Sequence, residues 1–156
     1  MFRLTKDNRS WFQGISKNFK TQFDMYYLCL MMGLAANHKS NAPDTGDLID
    51  YWPKESSYDN HSNFIIGLIL LAEARNFGIN IANKEVTKKH LNTFLDPNEH
   101  AKLSLKIGFK EANRYAGGGC EIMRDQWQQK PNLFGVFLKN YQEELRKQLE
   151  NNKNFT

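Results

Sequence analysis

The sequence predicts an all-α, compact helical domain of six to seven helices, with room for one short N-terminal strand. Three observations carry that expectation. Only four prolines occur, Pro43, Pro53, Pro97 and Pro131, and each reads as a boundary between helical stretches. Two apolar runs, Met25 to Ala36 and Phe64 to Ala72, fall short of the roughly 18 residues a membrane span needs and read as buried core helices. Near the C-terminus, Phe134, Phe137, Leu138, Tyr141, Leu145 and Leu149 recur at helical spacing on one long helix.

Taken in order, Phe2 to Thr5 alternates apolar and polar, the pattern of a short strand. Trp11, Phe12 and Ile15 place a first helix over Lys6 to Asn18, interrupted by Gly14. Thr21-Gln22-Phe23-Asp24 has the spacing of a capping box, so the next helix starts there and runs to about Asn37. Residues 38–60 are polar and rich in Asn, Asp, Ser and Pro, and read as a long loop with one turn around Leu48 to Trp52. A second buried helix begins at Ser62 or Asn63 and stops before Gly78, a good C-terminal cap. Asn83 to Leu95 forms a shorter helix. Asp96-Pro97 reads as an N-cap followed by proline at the first helical position, starting a helix that reaches Ala116, in one piece or two around Gly108. Gly117-Gly118-Gly119 then breaks it, a short helix covers Cys120 to Gln128, and the terminal helix follows Pro131. Residues 151–156 read as a frayed tail. With 156 residues, no internal repeat and no linker, the chain is expected to be a single domain, 1–156.

Composition narrows the function classes. The chain is 40% hydrophobic and 24% charged, which separates it from disordered chains. The formal charge of +4 permits an anionic partner without demanding one. Its distribution is uneven. Arg3, Lys6, Arg9, Lys17 and Lys20 face only Asp7 in the first twenty residues, whereas Asp44 to Asp59 is acidic. Cys29 lies in an apolar run, and with Cys120 it fits a reducing cytoplasm rather than a disulfide. No signal peptide or membrane span is expected.

No catalytic constellation stands out. His38, His61, His90 and His100 have no second ligand at zinc spacing, and a metal or cofactor is not expected. His61 beside Asp59 reads as a surface or capping histidine rather than an acid–base pair. Neither cysteine has a histidine neighbour, and there is no Gly-x-Ser-x-Gly. The three glycines lack the lysine and hydroxyl of a phosphate-binding loop.

The cations carry more information. Lys102, Lys106, Lys110 and Arg114 recur every four residues, which on a helix puts four like charges on one face. Such a ridge is built either for phosphates or simply for solvent, with Glu99 and Glu111 softening the repulsion. Arg3, Lys6 and Arg9 recur every three residues at the first helix, where the macrodipole disfavours cations, and form a second candidate anion patch. Tyr51 and Trp52, next to Pro53 in the acidic loop, form a candidate anchor for a protein partner.

The opening Arg3-Leu4-Thr5-Lys6, followed by a helix and then Leu28-Cys29-Leu30, resembles the opening of DndE, a small helical accessory protein of bacterial DNA sulfur modification. The likeness covers about the first 35 residues, and no family pattern continues beyond Ala36. It implies a DNA-associated role beside a modification or antiviral defence system, self-association, and phosphate contacts at Arg3 and Lys6.

Together these readings favour a non-enzymatic, cytoplasmic DNA-binding accessory protein contacting phosphates through Arg3, Lys6, Arg9, Lys102, Lys106, Lys110 and Arg114. The alternative is a protein–protein adaptor within a larger ATPase- or nuclease-containing complex, using Tyr51 and Trp52. A homo-oligomer fits either reading. An enzyme with a spatially assembled site ranks third.

Overall fold

A computed structural model describes residues 1–42, 46–49, 57–99 and 102–153. The chain runs β1 (Arg3–Leu4), α1 (Lys6–Trp11), a 3-10 helix (Gln13–Asn18), α2 (Gln22–Ala36), β2 (Asp47–Leu48), α3 (Ser57–Asn76), α4 (Lys84–Leu91), α5 (Gly108–Gln126) and α6 (Phe134–Lys153). The all-α expectation holds. The one sheet is a two-stranded antiparallel ribbon pairing Arg3 with Leu48 and Leu4 with Asp47. β2 lies inside the stretch expected to be loop, where a turn was expected around Leu48 to Trp52. The backbone N–H of Ile49 extends the ribbon by donating to the Phe2 carbonyl at 2.9 Å.

α2 and α5 form the centre. α6 packs on α2, β1 lies against α5, α3 rests on α2, and α4 rests on α3. α2 starts where the capping pattern put it: the Asp24 carboxylate accepts from the N–H groups of Lys20 and Thr21, each at 2.8 Å. It ends at Asn37, whose left-handed backbone (φ 49°) turns the chain and lets the His38 N–H return to the Gly33 carbonyl at 2.9 Å. Aromatic rings fill the space around this pair. Phe2 meets Phe23 edge-on at 5.3 Å and Phe109 at 4.9 Å. The Trp11 and Trp127 indoles stack 5.7 Å apart at 20°.

The largest departure from the sequence reading concerns Gly117-Gly118-Gly119. They do not break a helix. α5 runs through them without interruption from Gly108 to Gln126. A Cβ on Gly119 would collide with the Cys29 carbonyl, and one on Gly33 with the Tyr115 carbonyl, so the two backbones cross closer than any side chain allows. Gly118 likewise meets the His38 carbonyl, and a Gly117 Cβ would stand 2.8 Å from the Ser40 Cβ.

The second departure concerns residues 96–107, which are not helical among the described residues. Asp96 Oδ1 accepts from the Asn98 N–H at 2.8 Å, a local turn rather than a helix cap. Leu95 and Leu103 form an antiparallel bridge, with Asp96 N–H donating to the Lys102 carbonyl at 2.8 Å and Ser104 N–H to the Phe94 carbonyl at 2.7 Å. Three boundaries also shift: α3 begins at Ser57, earlier than expected, α4 ends at Leu91 rather than Leu95, which joins the bridge to Leu103, and α6 continues to Lys153 rather than fraying at residue 151.

Candidate functional site

A cleft of about 400 Å³ opens where β1 and α1 run beside the middle of α5, with Ser40, Ala42 and Gly46 closing one side. Four cations line it, Arg3, Lys6, Arg114 and Arg124, together with the carboxylates Asp7 and Glu121. On α5, Lys110, Arg114, Gly117, Glu121 and Arg124 follow one another at intervals of three and four, so they share one helix face. At about 1.5 Å per residue, that face extends about 21 Å from Lys110 to Arg124.

The N-terminal segment is held beside this face by Asn113. That side chain is 8% exposed. Its Oδ1 accepts from the Arg3 N–H at 3.0 Å and from the Tyr26 hydroxyl at 3.0 Å. Its Nδ2 donates to the Met1 carbonyl at 3.1 Å. The Arg3 guanidinium then donates to the Gly46 carbonyl at 2.9 Å, which ties β1 to the far wall. At the other end, Arg124 donates to Asn8 Oδ1 at 3.3 Å. The cleft is therefore assembled from segments between 43 and 116 residues apart by hydrogen bonds to uncharged acceptors. None of these bonds neutralises a cation.

The chain leaving α2 forms the remaining wall. Ser40 and Arg114 are joined twice: Ser40 N–H donates to the Arg114 carbonyl at 2.8 Å, and Arg114 Nε donates to the Ser40 carbonyl at 3.2 Å. The Ser40 hydroxyl donates to Glu121, which also meets His38 Nε2 at 3.0 Å. Next to this wall lies a half-buried ionic cluster. Lys39 bridges Glu73 at 2.5 Å and Glu111 at 2.7 Å, and its ammonium sits 5.1 Å from the centre of the Tyr115 ring. The Tyr115 hydroxyl donates to Glu73 at 2.8 Å and accepts from Asn76 at 2.8 Å. Burial alone would raise the Glu111 pKa, but hydrogen bonding and charge from Lys39, with Arg114 adding to them, bring it below the ordinary carboxylate value. Burial, reinforced by Glu73, pushes the Tyr115 hydroxyl well above its ordinary value.

The expected cations sort differently from the sequence pattern. Arg3 and Lys6 face the cleft, and Arg3 also lines a second hollow with Lys110. Arg3 lies in β1 rather than at the start of the helix with Lys6 and Arg9. Arg9 is engaged by Asp47 at 2.9 Å. Arg114 faces the cleft but pairs with Glu111 at 3.1 Å. The four-residue ridge does not exist as a helix face. Lys102 sits in the bridged segment, paired with Glu99 at 2.8 Å, and exposed Lys106 lies in the turn before α5, so only Lys110 and Arg114 share a helix. Tyr51 and Trp52 lie outside the described residues.

Arg124 is the cation that sequence reasoning missed. It comes into register with Lys110 and Arg114 only when the glycines between them are helical. Arg3, Lys6, Lys110 and Arg124 form no ion pair with any described residue. Among the described residues, no three His, Cys, Asp or Glu side chains converge as metal ligands would. No helix among them is long and apolar enough to cross a membrane. Compared with protein families, curated proteins and solved structures, the chain finds no match.

Proposed function

We propose that this chain is a non-enzymatic DNA-binding accessory protein that grips the phosphate backbone along the outer face of α5. The observation that carries this reading is a set of cations without an ion pair among the described residues, Arg3, Lys6, Lys110 and Arg124, drawn from two distant segments, with Arg3 and Arg124 held by uncharged acceptors. Asp7 and Glu121 share the cleft but form no ion pair with these four, and cations gathered on one face without such pairing suit an external polyanion. The N-terminal resemblance to DndE supports a setting in DNA modification or defence, because Arg3 and Lys6 belong to the matching segment.

Fluorescence anisotropy with labelled duplex and single-stranded DNA across a salt titration tests the reading. Four phosphate contacts predict a slope of about −3.6 in log affinity against log salt for duplex DNA. The double variant Lys6→Glu, Arg124→Glu should lose at least tenfold in affinity while keeping its circular dichroism. Lys102→Glu, which removes a cation already engaged by Glu99, should change affinity less than threefold. Absence of binding at low salt, or an unchanged double variant, removes DNA from the account.

A second reading, an adaptor in a multi-subunit complex, rests on α6. It buries Phe137 and Tyr141 but leaves Val136 54% and Leu138 40% exposed. A partner that covered this helix would protect those residues. Retention of every co-purifying protein by Val136→Lys, Leu138→Lys would exclude α6 as the contact.

A further inference from the structure

We propose that the chamber between α2, α3 and α6 binds the alkyl chain of an anionic amphiphile, a fatty-acid-like carboxylate whose head group pairs with Arg75. It is a half-open groove, with Leu71 and Leu149 on its walls partly exposed, and its free space of about 350 Å³ lies within the range of small-molecule sites. Leu28 and Met31 from α2, Leu68 and Leu71 from α3, and Leu145 from α6 line its interior. The Tyr141 hydroxyl on its wall is already committed to the Leu28 carbonyl at 2.9 Å.

Polarity changes along its length. The chamber adjoins a wider hollow of about 830 Å³ that is rimmed by Asn37, Asn76 and Asn152. Leu34, Ala35, Ala72, Arg75 and Leu149 belong to both spaces and mark the junction. Arg75 is the sole charged residue among the described residues lining either space, and it forms no ion pair with any of them. An apolar interior, a polar mouth and one unpaired guanidinium between them complement a chain with a single negative end. The site is independent of the cationic face of α5.

Isothermal titration calorimetry with decanoate and decanol, each below its aggregation concentration, tests the assignment. Decanoate should bind saturably at one site, and decanol at least tenfold more weakly. Arg75→Gln, a change at an exposed position, should reduce decanoate to the decanol level. Ala72→Trp, which obstructs the junction, should abolish binding of both with the helical circular dichroism retained. No saturable decanoate binding overturns the proposal, as does equal affinity in Arg75→Gln. Protein dimers that dissociate on Leu149→Asp, with no decanoate bound by either form, would assign the hollow to a second copy of the chain.

Discussion

Gly33 and Gly119 set how closely the two central helices approach. The Gly33 N–H nitrogen stands only 2.6 Å from where a Gly119 Cβ would be, and backbone cannot swing aside as a flexible side chain can. Gly119→Ala or Gly33→Ala should therefore destabilise by about 3 kcal/mol or more, at or beyond the upper end of ordinary overpacking. Gly67, exposed on α3 with nothing within 4 Å of where a Cβ would stand, should behave oppositely. Gly67→Ala should stabilise by about 0.5–1 kcal/mol through the ordinary helix preference of alanine. Urea unfolding of the three variants checks both signs at once; a tolerated Gly119→Ala would mean the helices can separate. This contrast was not legible in the sequence. A run of three glycines costs a lone helix about 3 kcal/mol, so local propensity argues for a break. Only the crossing with α2, invisible without tertiary structure, overrides that preference.

Among the elements, those read correctly are the ones whose signals are local. Asp24 beside the start of α2, and the Phe137-Tyr141 stripe of α6, carry their meaning within a few residues. Asp96-Pro97 shows the limit. An aspartate accepting an N–H two residues onward is common to helix caps and to short turns, and the outcome depends on what lies across from it. Here Leu103 pairs with Leu95 and draws residues 96–99 and 102–107 away from a helix, so the cation ridge disappears with it. The elements also differ in how well they are anchored. α4 has no buried residue, whereas α5 buries Phe109, Tyr115, Cys120 and Met123 among others. Hydrogen exchange should therefore release the amides of α4 first and those of α2 and α5 last, near the global unfolding limit. Protection of α4 equal to that of α5 would show that the molecule opens only as a unit.

For the whole molecule, the ionic cluster around Lys39 joins α3, α5 and the segment after α2, and it gives stability a defined pH range. Glu111 is depressed below its ordinary value of 4.5, so its contribution is present above that value and is lost as pH falls below it. Tyr115 is raised above its ordinary value of 10.0, so its contribution is present below that value and is lost as pH rises beyond it. Burial likewise raises the Cys29 thiol well above its ordinary value of 9.0, so thermal unfolding should show a plateau between about pH 4.5 and 9, falling on both sides. Lys39→Met leaves Glu73, 1% exposed, without its counter-ion and should cost about 3–5 kcal/mol on the plateau. A flat acid limb in the parent protein would remove Glu111 from the explanation. The assembled cleft was half legible. Arg3 and Lys6 were read from the sequence, but Asn113 and Arg124 acquire their roles only once the chain folds back across more than one hundred residues.

The stacked indoles of Trp11 and Trp127 have an optical consequence. Two indoles 5.7 Å apart with planes tilted by 20° couple their excited states, so the near-ultraviolet tryptophan circular dichroism of the folded protein should differ from the sum of the two rings taken singly. Because one ring ends α1 and the other follows α5, that signal reports whether the N-terminal segment is seated against the body. It is sensitive to the docking that builds the cationic cleft, and no label is needed to follow it.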